Sequence, residues 1–394
     1  MIIDPLDSLG QDVSAQARLR LIHERIKEAF PGITRVAIAT YDEGTHVLRT
    51  FVHSTDGEPP FKHYDARLDD VPSLAELARS GRDRVIDDLT REWPAPHADI
   101  PPLGSHSRRL VDHGYRSSYT KPFYDRGRFA GFLFFDSPEP RYFTRPVIHH
   151  LAIFTALIGT MIAKDMERAR ELRSAVEMAK DFGHIHDAET GGHLERMAHY
   201  AEVIGRTLAS KDPRDGIDDE FVEYVFLFAP LHDIGKIAVP DKILLKKDKL
   251  TEDEFLIMQR HVPQGLDLVN SLARHFEMHD NDKVDILRHI VAYHHEAFDG
   301  SGYPHHLCGT AIPLEARIVT VADVFDALTS RRPYKSAWTN DAAFRFLTDH
   351  AGSKFDPDCV AALVENAGRV TQIQRDFAKL NNGFGFHEGY SRDL

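Results

Sequence analysis

Apolar positions fall into strand-like runs early in this chain and into helical spacing later. Gln16 to Phe30 has helical periodicity. Arg35 to Tyr41 reads as a strand, Glu43-Gly44 as a turn and His46 to Ser54 as the return strand. Ser73 to Ser80 predicts a short helix stopped by Gly81. Ser118 to Tyr124 and Phe129 to Phe135 flank Asp125-Arg126-Gly127 as a hairpin. Residues 1–150 therefore predict an α+β domain. In 151–180, Ile158, Ile162, Asp165, Ala169, Leu172, Val176 and Ala179 alternate four and three apart, as in a coiled-coil seam with one polar member. A helix packed on its own domain would give the same pattern. The neighbouring Lys164, Glu167, Arg168, Arg170, Glu171 and Arg173 favour an exposed dimer stalk. From Phe182 onward the chain reads as nearly all helix. Thr251 with Glu254 forms a capping box for a helix carrying Phe255 to His261, and Ala322 to Thr329 is another helix. The pattern predicts an all-α domain over 181–375 and a Gly- and Asn-rich tail over 376–394.

Composition narrows the function. With 394 residues and 42% hydrophobic content, two domains with sizeable cores are expected. A net charge of −13 argues against a protein that coats a nucleic acid polymer or an anionic membrane. Cys308 and Cys359 are the only cysteines, which supports neither a disulfide framework nor a cysteine zinc site. The longest mainly apolar run, Leu151 to Ala163, is shorter than the ~20 residues a bilayer needs, so no membrane span is expected. No signal-peptide layout opens the chain, and the expectation is a cytoplasmic protein.

The order of elements in the first 150 residues resembles a GAF domain, a small-molecule sensor fold, with a PAS-like sensor as the nearest competitor. That region has no cysteine, which excludes thioether attachment of a bilin there.

Histidine and carboxylate positions carry the chemistry. The candidates, in order, are Glu189, His193, His232, Asp233, His261, His294, His295 and Asp323. Glu189 and His193, four apart, share one face if helical. The adjacent His232 and Asp233 can each approach a different side of a metal cluster. Asp323 follows the apolar segment Val319 to Ala322, where a lone buried carboxylate would need a cation to stay ionised. A single histidine on an apolar helix is ordinary, but eight such groups in this order point jointly to metal.

Glu189-Thr190-Gly191-Gly192-His193, His232-Asp233-Ile234-Gly235-Lys236 and His294-His295-Glu296-Ala297-Phe298-Asp299-Gly300-Ser301-Gly302-Tyr303-Pro304 resemble the motifs of the HD-GYP family, a branch of the HD phosphohydrolases. The resemblance covers about residues 181–375. It implies a cyclic di-GMP phosphodiesterase that yields pGpG and then GMP by attack of a metal-bridging hydroxide, regulated by the N-terminal sensor. It implies one metal on His193, His232, Asp233 and Asp323, a second on Asp233, His261, His294 and His295, and a third with Glu189. Two or three divalent ions, iron or manganese, are thus expected; this donor set exceeds a four-coordinate zinc site. Two metals about 3.5–4 Å apart suit attack on a phosphodiester.

The resemblance also puts Lys236 at the scissile phosphate and Arg332 and Lys335 at the substrate. Gly302, Tyr303 and Pro304 would form a pocket wall, or a surface for a partner such as a diguanylate cyclase. A homodimer through the connecting helix completes the expectation. The competing readings are a cyclic dinucleotide receptor with slow turnover, signalling through the GYP loop, and another HD hydrolase, which the GYP extension disfavours.

Overall fold

The structure, a computed structural model, describes residues 14–61, 64–91, 105–182, 191–211, 217–246, 248–275, 282–330 and 337–383. The chain divides into two compact units, residues 1–168 with 218–220, and 169–217 with 221–394.

The first unit is α+β. In chain order it holds α1 (Ala15–Ala29), β1 (Arg35–Asp42), β2 (Val47–Thr55), β3 (Asp65–Arg67), α2 (Pro72–Ser80), β4 (Arg84–Ile86), α3 (Ser105–Asp112), β5 (Ser117–Asp125) and β6 (Arg128–Ser137). The six strands form one antiparallel sheet in the order β3-β2-β1-β6-β5-β4. Central β1 is buried from Arg35 to Thr40, which is why its sequence is a nearly unbroken apolar run rather than an alternation. The Ser14 hydroxyl caps α1 by accepting from Ala17 N, and the helix buries Leu19, Ile22, His23 and Ile26 at helical spacing. Leu74 and Leu77 of α2 pack on Leu48, Leu68 and Phe132. Gly81 stops α2 in the left-handed conformation. The expected hairpin turn is tighter than its three residues suggested. Asp125 pairs with Arg128, and Arg126 and Gly127, both at positive φ, make the two-residue loop.

Helix α4 (Arg145–Phe182) runs through the whole expected linker. The seam expected along it is corrected. Ile158, Ile162 and Ala169 have no exposure within the chain itself, and the Asp165 carboxylate accepts from Arg18 of α1. Their four-three spacing therefore reflects packing on the chain's own fold. Leu172, Val176 and Ala179 lie where the side chains are not described. Among the described residues, the large apolar side chains exposed on α4 are Ile153 (72%) and Leu157 (40%), on another face. The stretch Arg145–Glu171 is long enough, and in its best 18-residue window apolar enough (mean hydropathy 1.7), to cross a membrane by length and composition alone. The shorter run read from sequence ended at charged Lys164, which a hydropathy window tolerates.

The second unit is helical: α5 (Gly191–Lys211), α6 (Asp219–Phe228), α7 (Asp241–Leu244), α8 (Glu252–Gln259), α9 (His261–His275), α10 (Asp282–Tyr293), α11 (Leu314–Thr329), α12 (Asn340–Asp349), α13 (Pro357–Glu365) and α14 (Ala367–Gly383). Helix α5 packs against α11, α13 and α14, and α10 packs between α9 and α11. Pro357 at the first position and the Asp356 carboxylate, accepting from Asp358 N, start α13. Residues 376–383, expected in the tail, continue α14. The Thr251–Glu254 capping box forms, but its helix stops at Gln259 and His261 opens the next one.

Candidate metal centre

Helix α6 ends at Phe228, because Pro230 disfavours helix at Ala229 and supplies no N–H. Two 3-10 turns follow, Ala229–Leu231 and Ile234–Ala238, with His232 and Asp233 between them. The doublet thus sits in a tight bend, not on a regular helix. Gly235 lets this bend press on α9: a Cβ there would lie 1.8 Å from the His261 carbonyl oxygen. His294 and His295 follow the last residue of α10, and Asp323 lies on α11.

Of the expected ligands, Glu189 lies outside the described residues, and the other seven converge. Asp233, His261, His294 and His295 offer ligand atoms within 4.8 Å of one another. Asp233 Oδ1 is 3.3 Å from His261 Nε2 and 3.5 Å from His294 Nε2. Its other oxygen, Oδ2, is 3.2 Å from His232 Nε2. Asp323 Oδ1 is 3.6 Å from His193 Nε2 and 3.9 Å from His232 Nε2. One carboxylate therefore faces imidazoles with both oxygens, His232 with Oδ2 and His261 and His294 with Oδ1.

The imidazoles are turned by their far nitrogens. His232 Nδ1 donates to the Ala229 carbonyl (3.0 Å), His261 Nδ1 to that of Met258 (2.7 Å), and His294 Nδ1 to that of Ile290 (3.0 Å). A carbonyl can only accept, so the proton sits on Nδ1 and the Nε2 lone pair points inward. Burial lowers the pKa of His261 to about 4. Burial, then the neighbouring His294, also holds His295 well below the ordinary histidine value. Both rings are neutral at pH 7. Burial pushes the Asp233 carboxyl up, but its polar surroundings, with the Lys236 ammonium among them, hold it well below the usual carboxylate range. Lys236 Nζ donates to Asp233 Oδ2 at 2.7 Å.

This donor set fits divalent metal. Asp233 Oδ1, His261 Nε2 and His294 Nε2 are buried and lack well-aligned hydrogen bonds although they nearly touch. Neutral imidazole lone pairs facing a carboxylate oxygen repel unless a cation lies among them.

The carboxylate buried in α11 is not the one the sequence suggested. The Asp323 side chain, beside His193 and His232, is 26% exposed, whereas Asp326, one turn on, has no exposure. Asp326 accepts from His193 Nδ1 (2.6 Å), from Arg196 through two N–H groups (both 2.8 Å) and from the Ser330 hydroxyl (2.7 Å). It holds His193 with Nε2 toward Asp323, a role the sequence reading did not assign. The available signal was a second acid one helical turn beyond Asp323.

Gly302 and Tyr303 lie against this centre. A Cβ on Gly302 would lie 2.1 Å from Ala297 N, so only glycine lets the loop close on the His294-His295 segment. Tyr303 stacks on His295 with ring centroids 4.7 Å apart. Pro304 follows, and buried Glu296 fixes the chain beyond it by accepting from His305 N (2.7 Å) and Leu307 N (3.1 Å). Glu296 was read in the motif without a role. Arg332 and Lys335 lie outside the described residues.

The family model described as HD domain matches residues 163–359, half of the chain. Among curated proteins, the cyclic di-GMP phosphodiesterase response regulator RpfG of Xanthomonas campestris is 45% identical over 212 residues, covering 54% of this chain and 52% of that protein. A cyclic di-GMP phosphodiesterase of Thermotoga maritima is 35% identical over 204 residues, 52% of each chain. A 3′3′-cGAMP-specific phosphodiesterase of Vibrio cholerae is 38% identical over 178 residues, 45% of this chain and 31% of that protein. The chain thus spans about half the length of the first two of these relatives, and less of the third. Among solved structures, the phycocyanobilin-bound GAF domain of a cyanobacterial phytochrome is 19% identical, covering 42% of this chain and 96% of that one, with a TM-score of 0.32. The GAF domain of an Acinetobacter phosphoenolpyruvate-protein phosphotransferase is 14% identical, covering 42% and 98%, with a TM-score of 0.31.

Proposed function

This chain belongs to the HD-domain family, and we propose that it is a metal-dependent phosphodiesterase that hydrolyses cyclic di-GMP to pGpG and onward to GMP under control of its N-terminal domain. The observation that carries the reading is Asp233, with one oxygen toward His232 and the other toward His261 and His294. A carboxylate so surrounded by inward lone pairs suits a bridge between two cations. The activities of the relatives support the substrate.

In this reading His193, His232, Asp233 and Asp323 hold one ion, Asp233, His261, His294 and His295 hold a second, and Glu189 serves a third. Iron or manganese suits the mixture of imidazole and carboxylate. When bound, the ions supply Lewis-acid polarisation of the phosphoryl oxygens and activation of water. Lys236 keeps Asp233 ionised and aligned, and its Nζ carries a proton that the leaving 3′-oxygen can take. The backbone carbonyls of Ala229, Met258 and Ile290 hold their histidines in the binding tautomer. Arg332 and Lys335 grip the phosphate or the guanine edge, and the Gly302–Pro304 loop walls the pocket.

The protein works in the cytoplasm as a homodimer through the exposed face of α4 that carries Ile153 and Leu157, and its GYP loop offers a contact to a diguanylate cyclase. Light scattering on the Ile153→Glu, Leu157→Glu double variant should then give a monomer.

The test of function is product analysis. Reduced, metal-loaded protein is incubated with cyclic di-GMP, 3′3′-cGAMP and guanosine tetraphosphate, and products are separated by chromatography. Elemental analysis of the anaerobically purified protein runs in parallel. Appearance of pGpG with two or more metals per chain supports the reading; turnover of guanosine tetraphosphate alone, or of nothing, sinks it.

A further inference from the structure

Helix α8 carries Phe255, Leu256, Ile257 and Met258, yet buries none of its residues. Phe255 is 46% exposed and Leu256 61%. Large apolar side chains on a short helix normally hold it to a core. Here other groups hold it. The Thr251–Glu254 capping box fixes its start, and Lys246 Nζ donates to Glu254 Oε2 at 2.5 Å. At its end the Met258 carbonyl accepts from His261 Nδ1. Its anchors are polar, so the exposure of Phe255 needs another reason.

Phe255 is tied to the metal centre in two ways. Its ring meets Tyr303 edge-on, with centroids 6.1 Å apart and planes at 80°. Tyr303 in turn stacks on His295 at 4.7 Å and 27°. Three rings thus lead from a candidate ligand to the surface. The second tie is α8 itself, because Met258, one turn beyond Phe255, carries the carbonyl that orients His261.

We infer that the exposed face of Phe255 is the platform on which a purine base of the substrate stacks; this rests on the cyclic dinucleotide reading above. The scissile phosphodiester belongs at the ligand cluster beside Lys236. The flanking base lies one ribose away and is planar and largely apolar on its faces. A phenyl ring offers it stacking area with no hydrogen bond to read its edge. Phe255 therefore supplies affinity without choosing between guanine and adenine, and that choice falls to other side chains. The Tyr303 edge holds the platform ring, so base and metal sites keep a fixed separation.

The experiment compares wild type with Phe255→Ala and Phe255→Trp, using cyclic di-GMP, 3′3′-cGAMP and methyl 4-nitrophenyl phosphate, a diester without a base. Phe255→Ala should raise KM for both cyclic dinucleotides about tenfold or more, the scale of one base–aromatic stack. The ratio of kcat/KM for cyclic di-GMP to that for the base-less ester should fall by a similar factor. Metal content and melting temperature should stay at wild-type values, because the ring is half exposed. Phe255→Trp should restore KM. An unchanged KM in Phe255→Ala, an equal loss on the base-less ester, or metal lost along with activity overturns the platform. If wild type itself leaves both cyclic dinucleotides intact, the substrate reading has failed and the platform falls with it.

Discussion

Asp88 in the sheet domain and Asp233 in the helical domain are both nearly buried, at 6% and 8% exposure, and both carboxyls lie well below the usual carboxylate range. Their surroundings differ in kind. Asp88 is met by donors: Arg116 through Nε (3.2 Å) and Nη2 (3.0 Å), and Thr90 through its amide (3.1 Å) and hydroxyl (2.7 Å). Among the described residues, Asp233 accepts from Lys236 and otherwise faces imidazole nitrogens whose protons are on the far side. A carboxylate among donors is complete without a ligand. A carboxylate among lone pairs is complete only with a cation. Burial and a depressed pKa do not separate structure from function here; the direction of the neighbouring protons does.

The largest expected effect breaks the functional side of that comparison. Asp233→Ala should abolish turnover and leave fewer than two metals per chain by elemental analysis, because one carboxylate serves both groups of histidines. Two or more metals retained would defeat the bridging assignment.

The structural side has its own break. Arg35 and Asp136 are register partners on β1 and β6, with side chains 5% and 0% exposed, and Arg35 donates to Asp136. Asp136→Ala strands a buried guanidinium and should destabilise the protein by about 3–5 kcal/mol in urea unfolding. Metal content of the folded protein should be unchanged. If metal falls with stability, the two sites are coupled and the contrast above is too sharp.

Asp326 lies between the two kinds. Arg196 and Ser330 satisfy it, like Asp88, but it also orients a candidate ligand, His193. Asp326→Asn keeps the shape and one acceptor while removing the charge. Metal affinity by equilibrium dialysis should weaken about 10–100-fold, the range for groups that support a ligand from behind. Unchanged affinity would make Asp326 an ordinary core ion pair.

The sequence revealed the two sides unequally. The candidate ligands were legible because metal chemistry demands particular residue types, and His232-Asp233 and His294-His295 leave few alternatives. Helix α1, the β1–β2 pair and the α8 cap were legible from periodicity and capping residues. What escaped depends on rotation about an axis. The four-three pattern from Ile158 to Ala169 is real, but spacing alone does not tell whether a helix packs on its own domain or on a twin. Asp323 and Asp326 sit one turn apart, and local hydrophobicity could not say which was buried. The roles of Asp326 and Glu296 are set by partners 130 and 9 residues away, and only the fold brings those together.

The smallest effect comes from a histidine that serves as a control. His289, on α10 with the site's approach to His294, has its Nδ1 2.6 Å from Glu315 Oε1 on α11, and its side chain is 42% exposed. The Glu315 carboxylate, with Asp285 helping and Arg288 opposing, raises its pKa above the ordinary 6.5. A raised folded-state pKa means the protonated form is favoured in the fold. The pair's contribution is therefore fully present below the unfolded value and is lost as pH rises through the folded one. Solvent screens so exposed a pair, and about 0–1 kcal/mol is the scale to expect. Melting of wild type and His289→Gln across pH 5.5 to 9, about the ordinary histidine value, isolates it, since effects on the metal centre are common to both proteins. Wild type should melt slightly higher at the acid end, and the gap should close as pH rises. A gap that widens with pH would mean that His289 is favoured neutral in the fold, as the site histidines are. Imidazole exposure and a facing carboxylate would then no longer distinguish a structural histidine from a ligand in this domain.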